Sequence, residues 1–269
     1  MSNRVITLLT DFGAADYFVG AIKGVILTRS PRSILIDITH DIPAHDIQAA
    51  AFTLNGAYAW FPAGSIHLAV VDPGVGSDRR PILVHSGDHL FVGPDNGLFT
   101  LVLDQLPAAQ TRHITNSGYF LPEPSSTFHG RDVFAPVAAA LAEGILPEAF
   151  GPIIHDPVRL GSMRFAPLPD GSLNGKIVHI DHFGNCVTNL PSHLFPTTAE
   201  TRPFVLQGNG FEAWALARSY EEGALCAARP FLIRGSAGLL EIALPCSSAA
   251  KAFGISVADP VRLIWRKSK

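Results

Sequence analysis

The run Ser65-Ile66-His67-Leu68-Ala69-Val70-Val71 is almost continuously apolar and ends on Asp72, and this transition constrains the fold more than any other stretch of the chain. A strand that carries apolar side chains at successive positions is covered on both faces, the condition of a strand inside a layered α/β domain. The loop that follows, Asp72-Pro73-Gly74-Val75-Gly76-Ser77-Asp78-Arg79-Arg80, opens on a carboxylate and closes on two cations. Pro73 fixes its own φ and has no N–H, while Gly74 and Gly76 permit backbone shapes and close approaches that other residues resist. Open α/β sheets collect reactive groups just beyond the carboxyl ends of their strands, which is where Asp72 falls. A tight turn uses the same residue types, so the loop alone leaves both readings open.

The flanking sequence supports the layered reading. Over the first 150 residues or so, short apolar runs alternate with helical patterns, as in parallel βαβ units. Strands are expected at Val5 to Leu9, Ser33 to Ile38, Ile82 to Ser86 and His89 to Val92. Helical spacing of apolar residues marks Tyr17 to Thr28, Ile47 to about Trp60 with Asp46 as its N-cap, and Arg131 to Glu143 with a stop at Gly144. A proline-rich passage from Pro147 to Asp170-Gly171 then has the texture of a domain connection. Beyond it lie short β-like runs at Gly175 to Asp181, Pro203 to Leu206, Phe231 to Ile233, Leu239 to Leu244 and Val261 to Trp265, which read as a small barrel or sandwich.

Composition narrows the function classes. The chain is 269 residues long, 47% hydrophobic and 16% charged, which excludes a disordered or coiled-coil protein. A formal charge of -3 with scattered arginines provides no field for nucleic acid. No apolar run approaches bilayer length, and the amino terminus shows no targeting segment. Cys186, Cys226 and Cys246 are odd in number and lack a CxxC pair, which argues against a disulfide scaffold or structural zinc and fits a reducing cytoplasm.

Several clusters are candidates for chemistry. Asp11 follows the first strand in Thr10-Asp11-Phe12-Gly13 and is expected at the same sheet edge as Asp72, with helix capping as the bland alternative. The Asp-Phe-Gly trio resembles a kinase motif, but the glycine-rich loop that must precede it has no room upstream of residue 11. His129, in Phe128-His129-Gly130-Arg131-Asp132, precedes a helix and carries an imidazole able to exchange protons near neutral pH. In Asp181-His182-Phe183-Gly184-Asn185, extending to Asn189, a carboxylate, an aromatic face and carboxamides suit an amine and a purine edge, as they also suit an Asx-rich hairpin. Glu241 interrupts an apolar strand, where it reads by itself as solvent-facing. His40-Asp41 and His45-Asp46 pair imidazoles with carboxylates, but Pro43 prevents a helical metal-binding face.

Taken in order, Thr10-Asp11-Phe12-Gly13, Asp37-Ile38-Thr39-His40-Asp41-Ile42, Val71-Asp72-Pro73-Gly74-Val75-Gly76, Gly93-Pro94-Asp95-Asn96-Gly97, Phe128-His129-Gly130-Arg131-Asp132, Asp181-His182-Phe183-Gly184-Asn185 and Leu240-Glu241-Ile242-Ala243 form a distinctive series. The series resembles the S-adenosyl-L-methionine (SAM) hydroxide adenosyltransferases, or SAM hydrolases, which are relatives of the fluorinase and chlorinase enzymes. The resemblance spans nearly the whole chain. It implies a Rossmann-like α/β domain over residues 1–165 that carries the water-activating groups. It also implies a smaller all-β barrel over residues 173–269 that contributes SAM contacts, and a homotrimer with its sites between subunits. The implied reaction is attack of water or hydroxide on C5′ of SAM, giving adenosine and L-methionine, with SAM as substrate and no cofactor.

Carried over position by position, the resemblance places the catalytic set on Asp72, Arg79 and His129. It places ribose recognition on Asp11, the methionine amine on Asp181, stacking and purine-edge contacts on Phe183 and Asn185, and a methionine carboxylate contact on Ser236. Glu241 matches a position that is often acidic, and Tyr220 a second aromatic wall. The chain departs from the family pattern at Gly235, where asparagine is common, and at Pro245-Cys246-Ser247-Ser248, where a glycine-rich segment is usual. Two other readings use the same scaffold: a SAM-dependent halogenase, which the carboxylate of Asp72 opposes by repelling halide, and a SAM- or adenosine-binding regulator without turnover.

Overall fold

The computed structural model describes residues 4–161, 164–195, 203–225 and 229–266. The chain divides into two compact units, Met1–Leu160 and Gly161–Lys269, with the division inside the proline-rich passage.

The first unit is built on a seven-stranded sheet. Its strands are β1 (Val5–Thr10), β2 (Ile34–Thr39), β3 (Ser65–Val70), β4 (Pro81–Ser86), β5 (His89–Pro94), β6 (Gln110–His113) and β7 (Ile153–Ile154), in the spatial order β2-β1-β3-β5-β4-β6-β7. Four helices accompany them: α1 (Phe18–Arg29), α2 (Ile47–Ala57), α3 (Thr100–Gln105) and α4 (Ala135–Ala142). Successive side chains of a strand point to opposite faces. Accordingly, Ile6, Leu8, Ile66, Leu68 and Val70 pack with Ile22 and Ile26 of α1 and Val137 of α4. Leu9, Ala69 and Val71 instead pack with Leu54 of α2 and Val102 of α3. Helices on both sheet faces explain why β3 is buried along its whole length.

The βαβ expectation holds for only half of this sheet. Pairs β1–β2, β1–β3 and β3–β5 are parallel, whereas β4–β5, β4–β6 and β6–β7 are antiparallel. Gly87-Asp88, the pair joining β4 to β5, can only close a hairpin, because a parallel crossover needs a dozen residues or more. Asp46 does cap α2, its Oδ1 accepting from the Ala49 N–H at 2.9 Å. The helix expected at Arg131 to Glu143 begins instead as a π-helical turn, Gly130–Phe134, and becomes α-helical at Ala135.

In the second unit the strands are β8 (Ala166–Pro167), β9 (Leu173–Ile180), β10 (Cys186–Pro191), β11 (Phe204–Gly208), β12 (Phe211–Ala213), β13 (Leu216–Ala217), β14 (Phe231–Arg234), β15 (Leu239–Ala243) and β16 (Pro260–Trp265). Two short helices, α5 (Tyr220–Ala224) and α6 (Ala249–Phe253), accompany them. The sheet runs β12-β11-β16-β9-β10-β15-β14-β13, with β8 against β9, and among the described residues its two end strands do not pair with each other. All of these pairings are antiparallel except β13–β14. Ile177, Leu190, Leu206, Leu240 and Leu263 belong to its core. Cys186 is buried there with its thiol pushed up to about 12 by burial, and Cys246 is exposed; both are free, and Cys226 lies outside the described residues.

Away from the carboxyl ends of the strands, the first unit packs a buried histidine, His67, against the half-buried His89. Nδ1 of His67 is 2.8 Å from Thr7 Oγ1, Nε2 is 3.1 Å from His89 Nδ1, and the ring stacks on Phe91. Burial, reinforced by His89, lowers the His67 pKa from 6.5 to about 3. The unfolded chain therefore binds a proton that the folded chain refuses between these values, so this stability is complete above pH 6.5 and lost as pH falls. Each proton taken up on unfolding contributes about 1.4 kcal/mol per pH unit. Denaturant titrations between pH 6.5 and about 5, above the range in which ordinary carboxylates titrate, will show a declining stability whose slope is shallower in His67→Gln. An equal slope in the variant would refute this account.

Candidate functional site

Parallel pairing of β1 with β3, in the register Thr10 to Val70, sets the site of the first unit. The chain leaves β1 toward β2 on one side, and β3 lies on the other, so the crevice at their carboxyl ends is a topological switch point. Asp11 follows β1 directly and Asp72 lies two residues beyond β3, and both line a cavity of about 260 Å³ with His129.

Asp72 and Arg79 form a buried pair, their side chains 5% and 8% exposed. Arg79 Nε lies 3.0 and 2.9 Å from the two Asp72 oxygens, and Nη2 donates to Oδ2 at 2.5 Å. The same Nη2 donates to His129 Nδ1 at 2.7 Å, and the guanidinium sits over the Phe134 ring, 5.2 Å from its centroid. A guanidinium only donates, so Nδ1 must be the unprotonated nitrogen and a neutral His129 carries its proton on Nε2. Burial lowers the His129 pKa, as does the Arg79 charge, against the opposing pull of Asp72 and Asp132. The loop bearing Asp72 turns at Gly76, whose φ is +78°, and a side chain there would collide with the Ser126 carbonyl.

Asp11 is not a helix cap: Tyr17 precedes α1 without a side-chain cap, and Asp11 Oδ2 accepts from the His45 backbone N–H at 2.9 Å. His40 faces away from a metal role, with Nδ1 2.8 Å from Thr10 Oγ1 and Nε2 3.1 Å from Asp37. Among the described residues, no group of three or more histidine, cysteine or acidic side chains is placed to hold a metal.

The second unit carries its own cavity, of about 860 Å³, lined by Asp181, Phe183, Asn185, Tyr220, Ser236 and Glu241 among others. The turn between β9 and β10 is the Asx hairpin the sequence allowed. Asp181 Oδ1 accepts from the Asn185 backbone N–H and Oδ2 from its Nδ2, both at 2.8 Å. Nδ2 is also 3.3 Å from the Tyr220 hydroxyl, and among the described residues the Asn185 side-chain carbonyl oxygen accepts no hydrogen bond. Phe183 and Tyr220 are 75% and 53% exposed, unusual for aromatics that could have been buried. Glu241 does not simply face solvent: it lines the cavity 3.5 Å from the Tyr220 hydroxyl, and burial followed by the charge of Asp181 raises its pKa. Gly235 makes this possible, since a side chain there would occupy the space held by the Glu241 carboxyl group. Asn189 takes no part, its amide being spent on the backbones of Lys176 and Arg164.

The sequence reading missed the aromatic wall of the first cavity. Phe12, Phe18 and Phe128 meet with centroids 5.2–6.0 Å apart, although Phe12 and Phe128 stand inside the motifs singled out for their polar residues. It also missed Asp132, two residues into the π-helical turn and 2% exposed. Because Asp72 and Arg79 are buried together, Arg79→Met strands a carboxylate and will cost about 3–5 kcal/mol of unfolding free energy. Asp72→Asn in the same background recovers part of that loss. Denaturant unfolding of the single and double variants measures both, and a cost below about 1 kcal/mol would mean the pair behaves as a surface ion pair.

The family model for the SAM hydroxide adenosyltransferase N-terminal domain matches residues 6–151, and that for the C-terminal domain matches residues 175–262. A Thermus thermophilus protein named (R)-S-adenosyl-L-methionine hydrolase is 37% identical over 97% of this chain and 100% of its own. A Salinispora tropica protein of the same name is 43% identical over 67% of this chain and 69% of its own. The crystal structure of an uncharacterized conserved protein from Thermotoga maritima superposes with a TM-score of 0.86 at 32% identity, over 96% of this chain and 100% of that one. The chain belongs to the SAM hydroxide adenosyltransferase family.

Proposed function

We propose that the protein hydrolyses S-adenosyl-L-methionine to adenosine and L-methionine. The observation that carries this reading is the hydrogen-bonded set Asp72, Arg79 and His129 beside the cavity at the ends of β1 and β3. Relatives of this chain named for the same hydrolysis support the choice of substrate. In the proposed step a water oxygen bonds to C5′ as the C5′–S bond breaks, its electron pair neutralising the sulfonium, and one water proton passes to the enzyme. The sulfonium is already a good leaving group, so the protein's tasks are to hold the water in line and raise its nucleophilicity.

The roles follow from the donors and acceptors available. Arg79 binds Asp72 and His129 into one unit and stabilises hydroxide-like charge. Neutral His129 has its Nδ1 lone pair occupied and presents Nε2–H, so in this arrangement Asp72 is the acceptor for the water proton. Asp11, with one oxygen held by His45, keeps the other for the ribose hydroxyls. In the second unit, Phe183 and Tyr220 are the stacking surfaces, the Asn185 carbonyl accepts from the purine amino group, and Asp181 with Glu241 faces the methionine ammonium. Ser236 serves the methionine carboxylate.

In this reading the carboxyl-terminal unit of one subunit meets the amino-terminal unit of a neighbour in a homotrimer, consistent with polar clusters in both halves. Its units are the Rossmann-like domain, through residue 165, and the small barrel, from residue 173. No cofactor is needed, because the substrate supplies the electrophile. No helix among the described residues is long and apolar enough to cross a membrane. We assign the enzyme to the cytoplasm, in keeping with the free Cys186 and Cys246.

Chromatography of reactions with each sulfonium epimer of SAM, with and without halide, tests the proposal. Adenosine and methionine formed without halide support it. A halogenated nucleoside would favour a halogenase, and SAM bound stoichiometrically but intact would favour a regulator. Asp72→Ala will lower turnover by roughly 10²–10⁴-fold while calorimetry still detects adenosine binding; a wild-type rate would overturn the role given to Asp72.

A further inference from the structure

We propose that Asp132 is a positioning residue that seats the Asp72–Arg79 loop against the segment leading to His129, so that three side chains from two separate parts of the chain share one geometry. The proposal rests on the hydrolytic reading above and concerns a buried acid to which that reading gives no role.

Asp132 lies in the π-helical turn directly after His129, an irregular element of the kind found at functional sites. Its carboxylate is gripped by Arg131, with Nε 2.6 Å from Oδ1 and Nη2 3.0 Å from Oδ2. Oδ2 also accepts the Ser125 backbone N–H at 2.8 Å, and the Asp132 carbonyl accepts from the Leu121 N–H at 2.9 Å. These bonds tie down residues 121–127, a stretch without strand or α-helix of its own. Its Ser126 carbonyl is the surface on which Gly76 rests, too close for any side chain. The next residue, Thr127, lines the cavity with Asp72 and His129. The contact order is thus Asp132 to Ser125, Ser126 to Gly76, and Gly76 within the loop that carries Asp72 and Arg79.

Asp132 also acts through charge. The charged groups bearing on His129 are Arg79, which opposes its protonation, and Asp72 and Asp132, which favour it. Asp132 is itself held in its charged form against burial by Arg131 and the Ser125 N–H. Replacing Asp132 with a neutral residue of equal shape therefore disturbs the seat and makes His129 harder to protonate. A merely structural acid would affect stability without moving a titration in the active site.

The experiment compares Asp132→Asn, Gly76→Ala and the double variant with the wild-type enzyme, using kcat, KM and the pH dependence of kcat/KM for SAM. Asp132→Asn is expected to lower kcat roughly 10- to 100-fold, the scale of a small misplacement of reacting groups, with little change in KM and with the acid limb of the profile moved to lower pH. The double variant is expected to lose no more than the worse single variant, because both changes break one seat. A wild-type kcat, an unmoved acid limb or additive losses would overturn the proposal. If Asp132→Asn does not fold, Arg131→Gln loosens the same carboxylate from a partly exposed position, and a wild-type kcat there overturns it equally. Absence of turnover by the wild-type enzyme would instead defeat the hydrolytic reading.

Discussion

The adjacency of β1 and β3 is the constraint on which the amino-terminal unit depends. Two adjacent parallel strands inside the sheet, each covered on both faces, deliver Asp11 and Asp72 to one end of the sheet. The reversal of chain direction around β1 leaves a crevice there that helices do not fill. The loop that carries Asp72 and Arg79 is grafted onto this end. Its backbone turns at Gly76 against the Ser126 carbonyl, its side chains are tied by Arg79, and hydrogen bonds within the loop, such as Ser77 Oγ to the Gly74 carbonyl, complete its order.

Arg79 then decides the protonation chemistry. A guanidinium between a carboxylate and an imidazole can only donate, which makes His129 neutral with a defined tautomer and leaves Asp72 with the free lone pairs. Burial and the Arg79 charge act in the same direction on His129, so electrostatics and hydrogen bonding describe the same neutral state. The second unit uses carboxylates differently. Asp181 is anchored by Asn185 and orients that amide, whereas Glu241 sits half-buried over Gly235 beside Tyr220. Gly235 is thus the position whose missing side chain admits the Glu241 carboxyl group.

Much was legible in the chain alone. The apolar run at residues 65–71 announced a doubly covered strand, the helical spacing after Asp46 announced α2, and the ordered motifs identified the family. Those signals are local: a strand buried on both faces must be apolar at every position, and a cap must lie at a fixed spacing. The antiparallel half of the first sheet was not legible, because the apolar run of β4, Ile82-Leu83-Val84, looks the same whichever neighbour it pairs with, and β6, Gln110–His113, carries no apolar run at all. The aromatic wall of Phe12, Phe18 and Phe128 was hidden for a similar reason, since aromatics at helical spacing or beside motif residues read as core.

By itself, then, the sequence determined the family, through its ordered motifs, and which strands are buried, through apolar spacing. Only tertiary structure decided that Arg79 bridges Asp72 to His129 across 50 residues of chain, that Asp11 faces a cavity instead of capping a helix, and that Glu241 turns into a pocket. Each of these depends on a contact between segments distant in sequence, and no local pattern specifies which donor a buried carboxylate will find.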